Sequence, residues 1–172
     1  DVGSVFGTGN TEITGWTIDQ GDINVIEHPG ILTWAATNGV RSVDLNGNNP
    51  GAISQIFDTV TGATYRLEFD LAGNPDWTPA VKQIWVGVGS TVAIIDNVFS
   101  FDTTGKSRTN MGWEHKILTF VADDVLTELV FVSLTGGVGG PVLDNVSVNL
   151  IPPPHTSSGG CSVAQGGGDS KD

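Results

Sequence analysis

From Tyr65 to Leu71 apolar and polar side chains alternate without a break, and the run ends at Gly73, Asn74 and Pro75. Tyr65, Leu67, Phe69 and Leu71 fall on one side of an extended chain, with Arg66, Glu68 and Asp70 on the other, because strand side chains alternate at period two. The segment is therefore predicted to be a strand with one buried face that runs into a polar turn. It contains no catalytic set, so the loop that follows is expected to make contacts rather than do chemistry.

Segments of the same kind recur at short spacing, at 13–18, 22–26, 41–45, 52–57, 81–88, 91–95, 115–121, 127–134 and 142–148. They are separated by Gly, Asn and Pro, and the 24 glycines supply turn positions that tolerate positive φ. Ten or so such strands predict an all-β fold, a mostly antiparallel jelly-roll β-sandwich. The opening residues, 1–10, have weak strand character and leave the first strand of a sandwich poorly defined.

A chain of 172 residues is long enough for one core. Period-two patterning ends near Leu150, and Ile-Pro-Pro-Pro followed by Ser and Gly replaces it. The expected organisation is a sandwich domain over 1–150 and a stiff, then flexible, tail over 151–172.

The formal net charge of −12 sets 19 acidic against 7 basic residues and offers no basic stripe. Such a surface repels a phosphate backbone, so nucleic acid is not expected as a partner. The one cysteine, Cys161, lies outside the periodic region and has no partner for an internal disulfide. No apolar run approaches a membrane span, and the sequence starts at Asp1 with no basic, apolar leader, so a signal peptide, if one existed, has been removed.

Several irregular pieces carry a resemblance. They are Ile-Thr-Gly-Trp-Thr (13–17), Ser-Val-Asp-Leu-Asn-Gly-Asn (42–48), Gly-Ala-Ile-Ser-Gln (51–55), Phe-Asp-Leu-Ala-Gly-Asn-Pro (69–75), the run from Phe101 to Trp113, and Gly-Pro-Val-Leu-Asp-Asn-Val-Ser-Val (140–148). In these the chain from about Ile13 to Val148 resembles the bacterial choice-of-anchor C family, relatives of a plant cell-wall group with galactose-binding-like sandwich domains. The resemblance implies that fold, a bacterial extracellular or cell-surface location, and a structural calcium held by Asp144 at the last strand. The run Gly-Ser-Val-Phe-Gly (3–7) lacks the Glu usual in the family's opening strand, which puts a ligand from that strand in doubt. The tail piece around Cys161 resembles the start of Myxo- and JDVT-type C-terminal sorting signals. That likeness implies Cys161 as a processing and lipid-attachment point, which would make the tail the chain's only tie to a membrane.

Sugar recognition needs flat aromatic faces beside hydrogen-bonding side chains, and the chain has five tryptophans. Trp77, in Pro-Asp-Trp-Thr-Pro, has no apolar partner at strand spacing and is expected to be exposed. Asn74, Asp76 and Trp85 lie close to it in sequence and are expected to complete a polar and aromatic patch with Lys82. Trp34 is a further candidate for the binding face, with the core as its alternative, while Trp16 and Trp113 read as packing residues.

Asp44, Asn46 and Asn48 resemble a calcium loop but fail the EF-hand pattern, because Asn49 and Gln55 stand where Gly and Glu are required, so an Asx-rich turn is expected. The loop 106–110 gathers two of the seven basic residues, Lys106 and Arg108, and is expected to be structural, with Arg108 or Asn110 bonding loop carbonyls; the alternative is contact with an acidic polysaccharide. His28, His115 and His155 are scattered, no Gly-x-Ser-x-Gly occurs, and Asp123 and Asp124 are adjacent, so no enzyme is expected. The expected function is a non-catalytic, carbohydrate-binding extracellular module. The alternative is a self-assembling structural or adhesive subunit, motivated by the weak first strand, since a sandwich short of an edge strand accepts one from a neighbour.

Overall fold

The computed structural model describes residues 4–10, 13–30, 33–90 and 93–154. Eleven strands follow one another as β1 (Ser4–Gly7), β2 (Thr17–Gln20), β3 (Asp22–Glu27), β4 (Arg41–Asp44), β5 (Ala52–Asp58), β6 (Thr64–Gly73), β7 (Val81–Gly89), β8 (Ala93–Asp102), β9 (Glu114–Val121), β10 (Leu126–Ser133) and β11 (Pro141–Leu150). They form a six-stranded sheet in the order β1-β3-β4-β11-β6-β9 and a five-stranded sheet in the order β2-β5-β10-β7-β8. All pairings are antiparallel, and the two sheets make the expected jelly-roll sandwich.

The alternation of β6 decides which way the six-stranded sheet faces. Leu67, Phe69 and Leu71 are fully buried, and Phe69 meets Phe131 of β10 edge-on at 5.2 Å across the layer. Each such side chain removed from water contributes about 1.5–3 kcal/mol. The five-stranded sheet answers with Ile84, Val86 and Val88 of β7 and Leu129 and Phe131 of β10, all buried.

Three segments depart from the sequence reading. Residues 13–16 form a turn, closed by Trp16 N–H to the Ile13 carbonyl and by Gly15 at φ +84°, so β2 begins only at Thr17. The segment expected at 91–95 runs on as β8 to Asp102, because Val81 to Gln83 of β7 pair with Ser100 to Asp102. The weak opening run forms β1, four residues paired with β3. With that place taken by the chain itself, the motive for accepting a neighbour's strand disappears.

The two outer faces differ. The β3–β4 connection turns over the outside of the six-stranded sheet, where Thr37 and Asn38 are bonded to Asp144 and Trp113 donates to the Ala35 carbonyl. A bulge in β11 between Asp144 and Ser147, with Asn145 at φ 51°, re-aims that strand beneath the loop. No described connection crosses the outer face of the five-stranded sheet through such bonds.

Candidate functional site

The β6–β7 loop carries three of the predicted residues, in two environments. Asn74 is buried, donates to Asp44 Oδ2 at 2.7 Å and accepts the Asp76 N–H at 3.0 Å. It shapes the turn and offers little to a ligand. Asp76 and Trp77 stand outside, Trp77 at 53% exposure. Asp76 Oδ2 takes both Nε and Nη2 of Arg108 at 2.8 Å, so Arg108 bonds a carboxylate rather than the loop carbonyls expected for it. Pro75, Asp76 and residues 106–109 line an open groove of about 520 Å³.

Beneath this loop lies a buried polar network. Lys82 is fully buried, and its ammonium donates to the carbonyls of Trp77 (2.8 Å) and Gly139 (2.6 Å). Burial pushes the Asp44 carboxyl up to about 6, against hydrogen bonds from Asn74, Asn46 and Gly140 and the charge of Lys82. Burial likewise lowers the Lys82 ammonium, with Asp44 opposing the shift. Through these hydrogen bonds Asp44 of β4 and Lys82 of β7 are each tied to the two loops above, Asp44 to Asn74 and Gly140 and Lys82 to Trp77 and Gly139. Asn46 adds bonds to the Thr135 and Gly137 carbonyls at 2.8 and 2.6 Å. The bond from Asn46 N–H to Asp44 Oδ1, 2.9 Å, makes the 44–49 segment the expected Asx turn.

The indole of Trp77 rests on Gly139, where an added Cβ would lie 2.6 Å from Trp77 Cδ1 and the backbone sits at φ +70°. Glycine is required there on both counts. Trp77 is thus exposed on one side and seated on the other.

The predicted patch is not one patch. Trp85 lies on β7 with its side chain on the outer face of the five-stranded sheet, where its Nε1 donates to Asp96 Oδ1. It stands eight residues beyond Trp77, on a strand that rises about 3.3 Å per residue. Trp34 is 2% exposed and donates to Ser42 Oγ at 2.9 Å. Its ring belongs to the core, because the outward side of β4 at Ser42 is roofed by the β3–β4 connection, and it has no face to offer a ligand. Lys82 is walled in rather than part of a surface patch.

A larger cavity than the groove, about 830 Å³, lies elsewhere, near β1, β3 and β4. Phe6, Trp16, Val25, Val43 and Leu143 give it an apolar lining, with the Glu27–Arg41 ion pair (3.3 Å) among its polar groups. Of the predicted residues only Asp144 borders it.

Asp144 sits opposite Asp70 on the outer face of the six-stranded sheet. Its Oδ2 accepts from the Thr37 and Asn38 N–H groups and from the Thr37 hydroxyl, and its Oδ1 accepts from the Asn145 N–H. Calcium requires six to eight oxygen ligands, whereas these neighbours present N–H and O–H donors. The residues as arranged do not fit the ion, and among the described residues no group of three or more His, Cys, Asp or Glu is placed to hold a metal. Beside it, His115 contacts Asp70 through Nδ1 (2.7 Å) and Glu68 through Nε2 (3.5 Å), so both ring nitrogens face carboxylates and neither faces a nucleophile. Cys161 lies outside the described residues.

A family model described as a protein of unknown function, DUF642, matches residues 2–149. The chain belongs to the DUF642 family. Among relatives, a DUF642 protein of Arabidopsis thaliana, L-galactono-1,4-lactone-responsive gene 1, is 25% identical over 152 residues, covering 83% of this chain and 38% of that one. Halomucin of Haloquadratum walsbyi is 28% identical over 142 residues, covering 81% of this chain and 1% of that protein. The chain therefore spans well under two thirds of the curated relatives it matches. The fold of this DUF642 domain is that of solved carbohydrate-binding modules, among them the CBM22-1 xylan-binding domain of Paenibacillus barcinonensis Xyn10C, with a TM-score of 0.55, 13% identity, and coverage of 89% of this chain and 98% of that one.

Proposed function

We propose that this DUF642 domain binds carbohydrate without catalysing a reaction, at the loop end of the sandwich, and acts outside a bacterial cell. The observation that carries the reading is Trp77. A large indole that is half exposed, seated on Gly139 and fixed through its own carbonyl by a buried ammonium does no packing work that justifies the arrangement. A pyranose stacks its C–H face on such a ring, and hydroxyls find the Asp76–Arg108 pair and the groove beside it. The carbohydrate-binding-module fold supports the same class of ligand. On this reading the tail holds the module at the cell surface through Cys161.

The test is retention on immobilised neutral and acidic polysaccharides, comparing wild type with Trp77→Ala and Arg108→Ala. Both variants are expected to elute early from a matrix that retards the wild type. Unchanged retention of Trp77→Ala on every matrix removes the loop end as the site.

A further inference from the structure

We infer that the outer face of the five-stranded sheet is a second carbohydrate-binding surface, which takes an uncharged polysaccharide chain on the indole of Trp85. It involves other residues than the loop end and stands or falls separately from it.

The side chain of Trp85 points outward between Val132 of β10 and Val98 of β8, its register partners. The ring does not stand up from the sheet. It lies along its own strand over Gly87, so closely that a Cβ at that position would come within 2.1 Å of Cη2 and 2.7 Å of Cζ3. Its Nε1–H donates to Asp96 Oδ1, and Asp96 is the residue of β8 directly opposite Gly87. Two independent features therefore hold the indole flat: the missing side chain beneath it and the carboxylate at its polar edge. The one polar atom of the ring is satisfied, and the face turned from the sheet is left for a ligand. A flat, pre-positioned aromatic surface is what the C–H face of a sugar ring stacks on, and rigidity in advance lowers the ordering cost of binding.

The surroundings define the ligand further. Val98 is 53% exposed, and Val130 and Val132 are half-buried beside the ring, so the platform is wider than one indole. Gln83 and Ser100 are bonded to each other at 3.4 Å on one side, and Glu128 projects from the same face, giving donors and acceptors for hydroxyls. By register Asp58, Asp96, Asp102 and Glu128 all share this face, and among the described residues no Lys or Arg does. An all-acidic rim repels uronate polymers and equally repels a second copy of the same face. A neutral polyol chain has no such penalty, and its hydroxyls can donate to the carboxylates. The loop end differs in carrying Arg108 and Lys106, so the two surfaces are chemically distinct.

The experiment is a titration of the full chain with soluble neutral oligosaccharides of xylan, galactan and glucan and with oligogalacturonate, read by calorimetry and by amide shifts. Trp85→Ala is expected to lose at least about tenfold in affinity for the preferred neutral chain, about 1.4 kcal/mol, while Trp77→Ala leaves that affinity in place. Asp96→Ala, which frees the ring without removing it, is expected to fall between, and Trp85→Phe to keep part of the binding. These last two carry the comparison if Trp85→Ala fails to fold. Wild-type affinity in Trp85→Ala, shifts that avoid residues 83, 85, 98 and 132, or absence of neutral binding in Trp77→Ala overturns the proposal. Loss of binding in Trp77→Ala alone supports the loop end and leaves this face without a ligand.

Discussion

Lys82 Nζ donates a 2.8 Å hydrogen bond to the carbonyl oxygen of Trp77, so a buried ammonium on β7 sets where an exposed indole stands. Lys82→Met keeps most of the stem and removes the charge, leaving the buried Asp44 carboxylate without its cation and the Trp77 and Gly139 carbonyls without a donor. Leaving a buried acceptor without its donor costs about 1–3 kcal/mol for each carbonyl. The urea midpoint is expected to fall accordingly, and a midpoint at the wild-type value would show that the ammonium does not hold the loops.

Trp34 and Trp77 are expected to separate stability from binding. Trp34→Ala empties a core position and leaves Ser42 Oγ without its donor, which lowers stability by about 3–5 kcal/mol. Trp77→Ala touches no core contact and stays within about 0.5 kcal/mol of wild type. Thermal melts of the two variants check this, and equal losses would contradict the placement of Trp34.

The Asp70–His115 pair predicts a pH window. The Asp70 hydrogen bond, with Glu68 adding to it against burial, raises the His115 imidazole, so its contribution is complete below about 6.5 and is lost as pH rises through the raised folded value. Burial raises Asp70, but hydrogen bonds from Thr37, His115 and Asn145 outweigh it and leave the carboxyl lowered. That contribution is present above about 3.9 and is lost as pH falls through the lowered folded value. The stability difference between wild type and His115→Asn is thus expected to be largest from about pH 4 to 6.5 and to shrink above neutrality. Taking the difference removes the contribution of Asp44, whose raised pKa favours the fold at low pH in both proteins. A difference independent of pH would rule out the charge pair.

Metal removal is expected to leave the fold unchanged. With Thr37, Asn38 and Asn145 donating to Asp144, chelator and added calcium should give the same melting temperature. A rise of several degrees with calcium would show that these donors rearrange around an ion.

What the sequence made legible was whatever one strand decides locally. The burial of one side of β6 made Tyr65 to Leu71 readable, and the same parity placed Lys82 with Ile84, Val86 and Val88 on the core side of β7. A lysine in an apolar register was the available signal for the buried network. Tryptophan two residues before glycine on a strand was likewise a signal for the flat indole, since that spacing puts the glycine beneath the ring. Trp34 carried no such signal, because it sits in an irregular connection without periodicity. Asp76 with Arg108, Lys82 with Gly139 and Thr37 with Asp144 join positions 32, 57 and 107 apart, and only the folded topology brings them together. Asp144 entered as a calcium ligand through the family resemblance alone, and in the fold its carboxylate accepts from the Thr37, Asn38 and Asn145 N–H groups.

The first and last strands, β1 and β11, both belong to the six-stranded layer. Polypeptide continuing past Leu150 leaves from that layer, and the Trp85 face lies on the opposite side of the sandwich. Both ends of the described sandwich thus belong to one layer, and the flat indole that we propose as a polysaccharide platform is carried by the other.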